Sequence, residues 1–265
     1  MKRSYVLLAI ALAAGVFAVE AAATPAVNGA LLKTRIFNDC PISTLATVNN
    51  YPAEISFREA ELTCFGFANL HNWSFSADGG MTEAVFNNGD SFVFGATVVV
   101  SGANLNGGEG GLRLSPWWGQ DTEGRFNVRI PDGEVACFGG VLPFYSFTGS
   151  HGIHYVAGQP IRLEVYYNPY HNSAAFPGQV KYRCYWMGVW YDSGWLPFGN
   201  CTPGEEIHGC YGIMDNARAG GYAQHRLTNG QFPAENLTNF FDVVFAEQPV
   251  ATLPTTWGKV KGLYR

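Results

Sequence analysis

Short runs in which apolar and polar residues alternate occur along most of this chain. Examples are "RFNVRI" at 125–130 and "IRLEVYY" at 161–167, and turn signals such as Asp132-Gly133 and Asn229-Gly230 separate such runs. Successive side chains of a β-strand point to opposite faces, so each run predicts a strand with one buried and one outward face. Many short strands separated by turns predict an all-β protein, a sandwich or a barrel.

One stretch departs from this pattern. Residues 53–63, "AEISFREAELT", have the local composition of a helix, and we expect them to form one short surface helix. No unit of the length found in repeat proteins recurs along the chain.

The first residues predict export. Lys2 and Arg3 precede the apolar run "YVLLAIALAAGVFAV", and Ala21-Ala22-Ala23 supplies small residues for cleavage. We therefore expect a signal peptide at 1–23, removed after Ala23, and a secreted or cell-surface protein without a membrane span. A single sandwich domain is expected over 24–248. The tail at 249–265 is either a handle for sorting or assembly or a loosely packed terminus.

Six cysteines follow the expected cleavage point. An even number in an oxidising compartment favours structural disulfides, and no tight paired spacing typical of zinc ligands occurs. Several connectivities are open, and the one we predict joins Cys40 with Cys64, Cys137 with Cys184, and Cys201 with Cys210.

The charge and the motifs exclude two classes of function. The chain carries a formal net charge of -5 and has no run of Lys or Arg, which argues against nucleic-acid binding. No Gly-rich phosphate loop and no G-x-S-x-G nucleophile motif occurs.

The outward residues of several predicted strands share a composition that suits sugars. A pyranose stacks its C–H face on an aromatic ring, and its hydroxyls pair with fixed donors and acceptors such as Arg, Asn, Gln and Glu. Antiparallel sheets also present such residues to solvent, so the interpretation requires that the sets share one surface. The candidate carbohydrate-binding residues are Arg113, Trp117, Asn127, Arg129, Arg162, Glu164, Tyr166, Arg218, Tyr222 and Gln224.

The order of the segments resembles a known superfamily. "IRLEVYYNP", "GQVKYRCYW", "VWYDSGWLPF", "YGIMDNARAGGYAQ" and "FFDVVF" follow one another as in the concanavalin A-like lectin/glucanase jelly roll, which includes laminin-G-like modules. The resemblance covers roughly residues 34–246. It implies a two-sheet antiparallel jelly-roll sandwich with a glycan-facing role on the concave sheet or its rim.

Two enzyme branches of that superfamily can be compared with this chain. The glucanase pattern E-x-D-x-E is absent, which disfavours retaining hydrolysis. "RAGGYAQ" is similar to the K-A-G-x-Y-x-Q motif of alginate-lyase-like jelly rolls, "GLRL" to S-E-L-R, and "GIH" to Q-I-H. The resemblance implies a lyase site made of Arg218, Tyr222, Gln224, Arg113 and His154, although Arg218 stands for the lysine and Gly152 for the glutamine.

Calcium is the cofactor that the sequence allows. Its oxygen ligands would come from Asp215 and Asn216, or from Asn104, Asn106 and Glu109, but ordinary turn chemistry explains both groups equally well. The sequence thus favours a secreted, non-catalytic protein that binds a polysaccharide or glycoconjugate. A uronate lyase and an extracellular structural or matrix protein are the alternatives.

Overall fold

The computed structural model describes residues 24–64, 66–104, 107–115, 124–199, 210–227 and 232–248. The expected signal peptide at 1–23, the tail at 249–265, Trp117, Asn106 and Cys201 lie outside the described residues. Within the described ranges, no helix has the length and apolar character needed to cross a bilayer.

The described residues form fourteen strands and one short helix. In chain order these are β1 (Gly29–Asn38), β2 (Thr44–Asn50), β3 (Glu54–Leu62), β4 (Gly66–Ser76), β5 (Phe92–Ser101), β6 (Gly107–Ser115), β7 (Arg125–Arg129), β8 (Val135–Phe138), β9 (Tyr145–Ser146), α1 (Phe147–His151), β10 (Ile161–Asn168), β11 (Gln179–Trp186), β12 (Val189–Pro197), β13 (Arg218–Leu227) and β14 (Ala234–Glu247).

The strands pair in two seven-stranded antiparallel sheets. Sheet A has the order β1-β4-β13-β6-β7-β8-β9, and sheet B has the order β12-β11-β10-β5-β14-β3-β2. Neighbours such as β4, β13 and β6 are far apart in sequence, so the chain crosses repeatedly between the sheets. This two-sheet antiparallel sandwich confirms the predicted all-β jelly-roll architecture.

The core lies between the two sheets, and the alternation of each strand decides which residues enter it. Leu112 and Leu114 of β6 and Phe126 and Val128 of β7 are buried there, as predicted, and so is every second residue of β10 from Ile161. Burying each large apolar side chain contributes about 1.5–3 kcal/mol. The residues between them point away from the core, which fixes the two outer faces of the sandwich.

The predicted helix at 53–63 is wrong. These residues form β3, which pairs with β2 on one side and β14 on the other. Ile55 and Phe57 alternate into the core, so burial between two strands outweighs the local helical composition. The one helix in the described ranges is α1, where the Ser146 side chain accepts a hydrogen bond from the Gly149 N–H and Gly152 closes the helix at φ 67°.

The cysteines only partly follow the prediction. Cys40 and Cys64 form the expected disulfide, with a Cα–Cα distance of 5.5 Å. Cys137 and Cys184 are free buried thiols, so their predicted bond is wrong in this structure. Cys137 lies on β8 of sheet A and Cys184 on β11 of sheet B, so each thiol is buried as an apolar side chain of the core between the sheets. Cys210 is disulfide-bonded, but its predicted partner Cys201 is outside the described residues.

Candidate functional site

The predicted binding residues divide between the two outer faces of the sandwich. The six on the outer face of sheet A are Arg113, Asn127, Arg129, Arg218, Tyr222 and Gln224. The three on the outer face of sheet B are Arg162, Glu164 and Tyr166. Because the sheets pack back to back through the core, these two sets face opposite sides of the molecule. The tenth, Trp117, is outside the described ranges.

The register of the strands explains why the predicted residues of sheet A lie close to one another. β6 lies between β13 and β7, and Gly111 is paired with Tyr222 on one side and with Asn127 on the other. The next outward row pairs Arg113 with Arg125. We call this surface the polar face; it consists of Ser74, Glu109, Arg113, Arg125, Asn127, Arg218, Tyr222 and Gln224.

Arg125 organises the centre of the polar face. Its Nη1 donates to Gln224 Oε1 at 2.8 Å and pairs with the Glu109 carboxylate, and its guanidinium lies 4.4 Å from the centroid of the Tyr222 ring. Gly111 stands between Tyr222 and Asn127, and a Cβ there would meet the Phe126 carbonyl oxygen at 2.0 Å. This position therefore requires glycine, because β7 passes too close for any side chain.

Two polar groups of this face lack partners among the described residues. The Tyr222 hydroxyl and both polar atoms of the Asn127 amide are buried and make no hydrogen bond of normal geometry. Burial raises the pKa of Tyr222 well above its usual value, the Glu109 carboxylate adds to the rise, and the Arg125 guanidinium opposes it. Tyr222 is therefore a neutral hydroxyl, suited to donate a hydrogen bond. Unpaired buried groups cost about 1–3 kcal/mol each, so a ligand that pairs with them is favoured.

A carboxylate from the loop after β4 reaches the other end of the polar face. Glu83 accepts hydrogen bonds from Lys33 Nζ and Ser74 Oγ, each at 2.7 Å. It also lies 3.5 Å from Arg113 Nη2 and 3.4 Å from Arg218 Nε. Burial alone would raise the pKa of Glu83, but the bonds from Lys33 and Ser74 and the charge of Arg113 hold it below its usual value. Glu83 is thus an ionised anion among three cations.

The balance of charge on this face favours an anionic ligand. Among the described residues of this face and its edge, Lys33, Arg113, Arg125 and Arg218 supply four cations, and Glu83 and Glu109 supply two carboxylates. The chain as a whole is acidic, with a net charge of -5. The excess of positive charge on this face is therefore local.

Sequence reasoning missed Arg125, Glu83 and Lys33. Arg125 has the same parity as Asn127 in "RFNVRI", so the alternation contained the signal for it. Glu83 comes from a loop, and Lys33 comes from β1, which is separated from β6 by the two strands β4 and β13. No local pattern marks either of them.

One residue of the predicted lyase set is elsewhere. His154 is exposed beyond α1, and its Nδ1 lies 3.2 Å from the Asp132 carbonyl oxygen. His225 is on the same strand as Tyr222 but three residues later, so its ring points into the core. The described part of the polar face therefore contains no histidine.

The calcium candidates are engaged in other hydrogen bonds. Asp215 Oδ1 accepts the Asn88 N–H at 2.9 Å, Asn104 donates to the Pro233 carbonyl, and Glu109 pairs with Arg125. Asn216 Oδ1 accepts from Arg218 Nη1 at 2.9 Å. These contacts account for the four residues, and calcium binding stays a prediction.

A second titratable cluster lies inside the sandwich. Ligand atoms of Glu59, His71 and His225 are all within 4.8 Å of one another, and all three residues are buried. However, His71 Nδ1 accepts the Arg35 backbone N–H at 3.1 Å, which places the ring proton on Nε2, 3.3 Å from Glu59 Oε2. A protonated nitrogen does not ligate a metal, so the donor set does not fit a metal ion and the cluster is a hydrogen-bonded network.

Comparisons with known proteins give fold similarity only. No family model and no curated protein matches the chain. The fold is similar to a family 7 alginate lyase solved in complex with product, at 6% identity and a TM-score of 0.45 over 82% of this chain and 95% of that one. The alginate lyase from Corynebacterium sp. gives 11% and 0.40 over 76% and 80%. Arcelin-5, a lectin-like defense protein from Phaseolus vulgaris, gives 10% and 0.36 over 83% and 99%.

Proposed function

We propose that this protein is an exported, non-catalytic module that binds an acidic polysaccharide on the polar face of sheet A. The observation that carries the proposal is the cluster of Arg113, Arg125 and Arg218 beside two buried groups that lack a hydrogen-bond partner among the described residues, the Tyr222 hydroxyl and the Asn127 amide. A uronate unit presents a carboxylate, which a guanidinium binds in a fork geometry, and hydroxyls, which pair with neutral donors and acceptors.

Access to the face begins at its margin. The side chains of Lys33 and Arg129 are 30% and 33% exposed, whereas that of Arg113 is only 4% exposed. Arg129 is paired there with Asp132 and Glu134, and Lys33 is paired with Glu83, so an anionic chain that reaches the margin competes with these carboxylates for the two cations. Binding at Tyr222 requires a rearrangement that uncovers the centre, and the pairing of its unsatisfied groups compensates part of that cost.

Binding is favoured over catalysis by the state of Tyr222. Elimination from a uronate needs a base that removes the proton next to the carboxylate, and a base works best when its pKa is near the working pH. The pKa of Tyr222 is raised far above that range by burial, and the described polar face has no histidine to share the task. Tyr222 therefore acts in our proposal as a hydrogen-bond donor to the ligand.

The second candidate is a uronate lyase at the same face. The observation that favours it is the placement of four of the five predicted lyase residues on the outer face of two adjacent strands: Arg113, Arg218, Tyr222 and Gln224. Incubation with alginate, polygalacturonate and hyaluronan decides between the two. Unsaturated product, seen as a rise in ultraviolet absorbance that Tyr222→Phe abolishes, would establish the lyase and overturn the non-catalytic proposal.

The matrix-protein alternative depends on the tail at 249–265, which the structure does not describe. If the tail mediates assembly, truncation at Pro249 changes the oligomeric state of the protein measured by light scattering. An unchanged state would remove this alternative.

Binding is tested with the purified full-length protein by calorimetric titration with polygalacturonate and alginate. We expect Tyr222→Phe to weaken binding about tenfold, which corresponds to about 1.4 kcal/mol, with little loss of stability, because the hydroxyl makes no hydrogen bond of normal geometry among the described residues. Tyr182→Phe is the matched control. The Tyr182 hydroxyl donates to the Pro143 carbonyl at 3.1 Å in the core, so its removal lowers stability but leaves binding unchanged. No binding to either polyuronate, or equal binding by Tyr222→Phe, would overturn the proposal.

A further inference from the structure

The outer face of sheet B carries a second surface of different character. Strands β10, β11 and β12 place Tyr166, Lys181, Arg183, Tyr185, Trp190 and Trp195 on one side. We call this the aromatic surface. Tyr185, Trp190 and Trp195 are 40%, 44% and 43% exposed, so three large rings stand in contact with solvent. It faces away from the polar face, with the whole sandwich between them.

A bulge in β12 brings the second tryptophan onto this surface. Asp192 pairs with Arg183, and Trp195 pairs with Lys181, although Asp192 and Trp195 are three residues apart. Strict alternation would put them on opposite faces. The register shift at this point, where Gly194 adopts φ 69°, restores Trp195 to the outer face.

The side chains of this surface hold one another in place. The Lys181 ammonium lies 4.4 Å from the centroid of the Tyr166 ring and 5.0 Å from that of Trp195. The Arg183 guanidinium lies 4.3 Å from the centroid of the Trp190 ring. Cation–π contacts of this kind fix the rings before any ligand arrives, which lowers the ordering cost of binding.

A groove continues from the aromatic surface at the end of the β11–β12 hairpin. It has a volume of about 380 Å³, and Gln159, Arg162, Tyr185 and Met187 are among its lining residues. That volume lies at the lower end of the range for small-ligand sites, roughly 300–1,000 Å³. The groove thus brings together the Arg162 guanidinium, the Gln159 amide and the Tyr185 ring, a combination that suits one sugar unit. The flat aromatic surface next to the groove suits the following units of a polysaccharide chain.

The charges of this surface are nearly balanced and are engaged with one another. Arg162 pairs with Glu164 at 3.4 Å, and Arg183 pairs with Asp192 at 3.4 Å. Lys181 lies 3.9 Å from Asp192. Unlike the polar face, this surface offers little excess positive charge to an acidic polymer, and its exposed apolar rings are its distinguishing feature.

We propose that the aromatic surface and its groove form a second carbohydrate-binding site, which takes a neutral polysaccharide chain. The rings stack on the C–H faces of successive sugar units, and Gln159 and Arg162 bind hydroxyls in the groove. The site is independent of the polar face. A protein with both sites holds an acidic chain on one side and a neutral chain on the other.

Affinity electrophoresis of the full-length protein tests this proposal. Native gels contain starch, xylan, galactomannan or hydroxyethylcellulose, and a gel without polysaccharide is the reference. We expect retardation in at least one gel, with the dissociation constant raised about tenfold in Trp190→Ala and in Trp195→Ala. Tyr51→Phe, a change in a half-buried ring of the β2–β3 turn, is the aromatic control and binds as the wild type does. Because the surface charges are paired, 0.5 M NaCl, on the order of a 4 Å screening length, changes the retardation little.

The outcomes separate this site from the polar face. Retardation that persists in both tryptophan variants, or no retardation in any of the four gels, would overturn the second site, and the latter result would point to a protein partner instead. Tyr222→Phe binds neutral polysaccharide normally if the two sites are independent. Loss of polyuronate binding in Tyr222→Phe with retention in Trp190→Ala would support the polar face whatever the neutral gels show. Far-ultraviolet circular dichroism confirms that each variant is folded.

Discussion

The guanidinium of Arg125 lies over the ring of Tyr222, 4.4 Å from its centroid, and the same guanidinium neutralises Glu109. The side chains of Arg125 and Glu109 are only 9% and 12% exposed. Arg125 therefore covers the Tyr222 ring and also neutralises the largely buried Glu109 carboxylate on the outer face of sheet A. The relationship predicts that Arg125 and Glu109 behave as a single unit when either is replaced.

Removing one member of this pair should cost more than removing both. Arg125→Leu or Glu109→Leu alone removes one member of a largely buried ion pair, a change that typically destabilises by about 3–5 kcal/mol. The double variant leaves neither charge and should recover part of that loss. Urea denaturation of the four proteins at neutral pH gives the coupling free energy. Additive effects would show that the pair is not energetically linked.

Glu83 should act as an internal competitor for the ligand of the polar face. Its carboxylate lies near Lys33, Arg113 and Arg218 and so offsets the attraction of these cations for an acidic sugar. Glu83→Gln keeps the shape but removes the charge, so we expect about threefold to tenfold tighter binding of polygalacturonate, a gain of about 0.7–1.4 kcal/mol. Titration calorimetry measures it.

The control for Glu83→Gln is Glu235→Gln. Glu235 pairs with Arg58 in an exposed ion pair on sheet B, so its removal changes the net charge equally but leaves the polar face intact. Equal tightening in both variants would mean that total charge, and not the position of Glu83, governs affinity.

Gly111 should tolerate no side chain. In Gly111→Ala the new Cβ would meet the Phe126 carbonyl oxygen at 2.0 Å, and a backbone atom cannot move aside without distorting β7. We expect a loss of about 1–3 kcal/mol in the free energy of unfolding. Gly89→Ala is the control, because a Cβ at Gly89 meets nothing within 4 Å. Equal stability of the two variants in thermal unfolding would contradict the prediction.

The alternation of the strands predicted the sandwich and the direction of most side chains, because a two-residue period depends only on local backbone geometry. It correctly assigned Asn127 and Tyr222 to the strand face that points away from the core, although both side chains are buried there. It could not tell that Arg162 and Tyr222 belong to different sheets, since strand order is set by contacts between distant segments.

Local composition failed where packing decided the structure. The stretch at 53–63 has helix-forming residues but is held as β3 between two strands, with Phe57 in the core. Trp195 could not be placed by parity, because the bulge in β12 shifts the alternation by one residue. The strand β2 was not predicted at all, since its mostly exposed residues have no clear alternation of apolar and polar types.

The network around Glu59 should make the fold sensitive to acid. Burial would raise the pKa of Glu59, but hydrogen bonds from His225 and His71 lower it far below its usual value, so Glu59 contributes stability above about pH 4.3 that is lost as pH falls toward its folded pKa. Burial lowers the pKa of His225 despite its 2.7 Å bond to Glu59. Below about pH 6.5 the unfolded chain therefore takes up a proton that the folded protein does not.

Both shifts have the same sign, so stability should fall with decreasing pH, first through His225 below about pH 6.5 and then also through Glu59 below about pH 4.3. The free energy of unfolding, measured in urea from pH 8 to pH 4, checks this expectation. In His225→Gln, which keeps a side-chain donor near Glu59, the first part of the slope should disappear, because the titrating group is gone. His154→Gln, at an exposed ring, should keep the wild-type slope. If His225→Gln also keeps it, the acid sensitivity arises outside the Glu59 network.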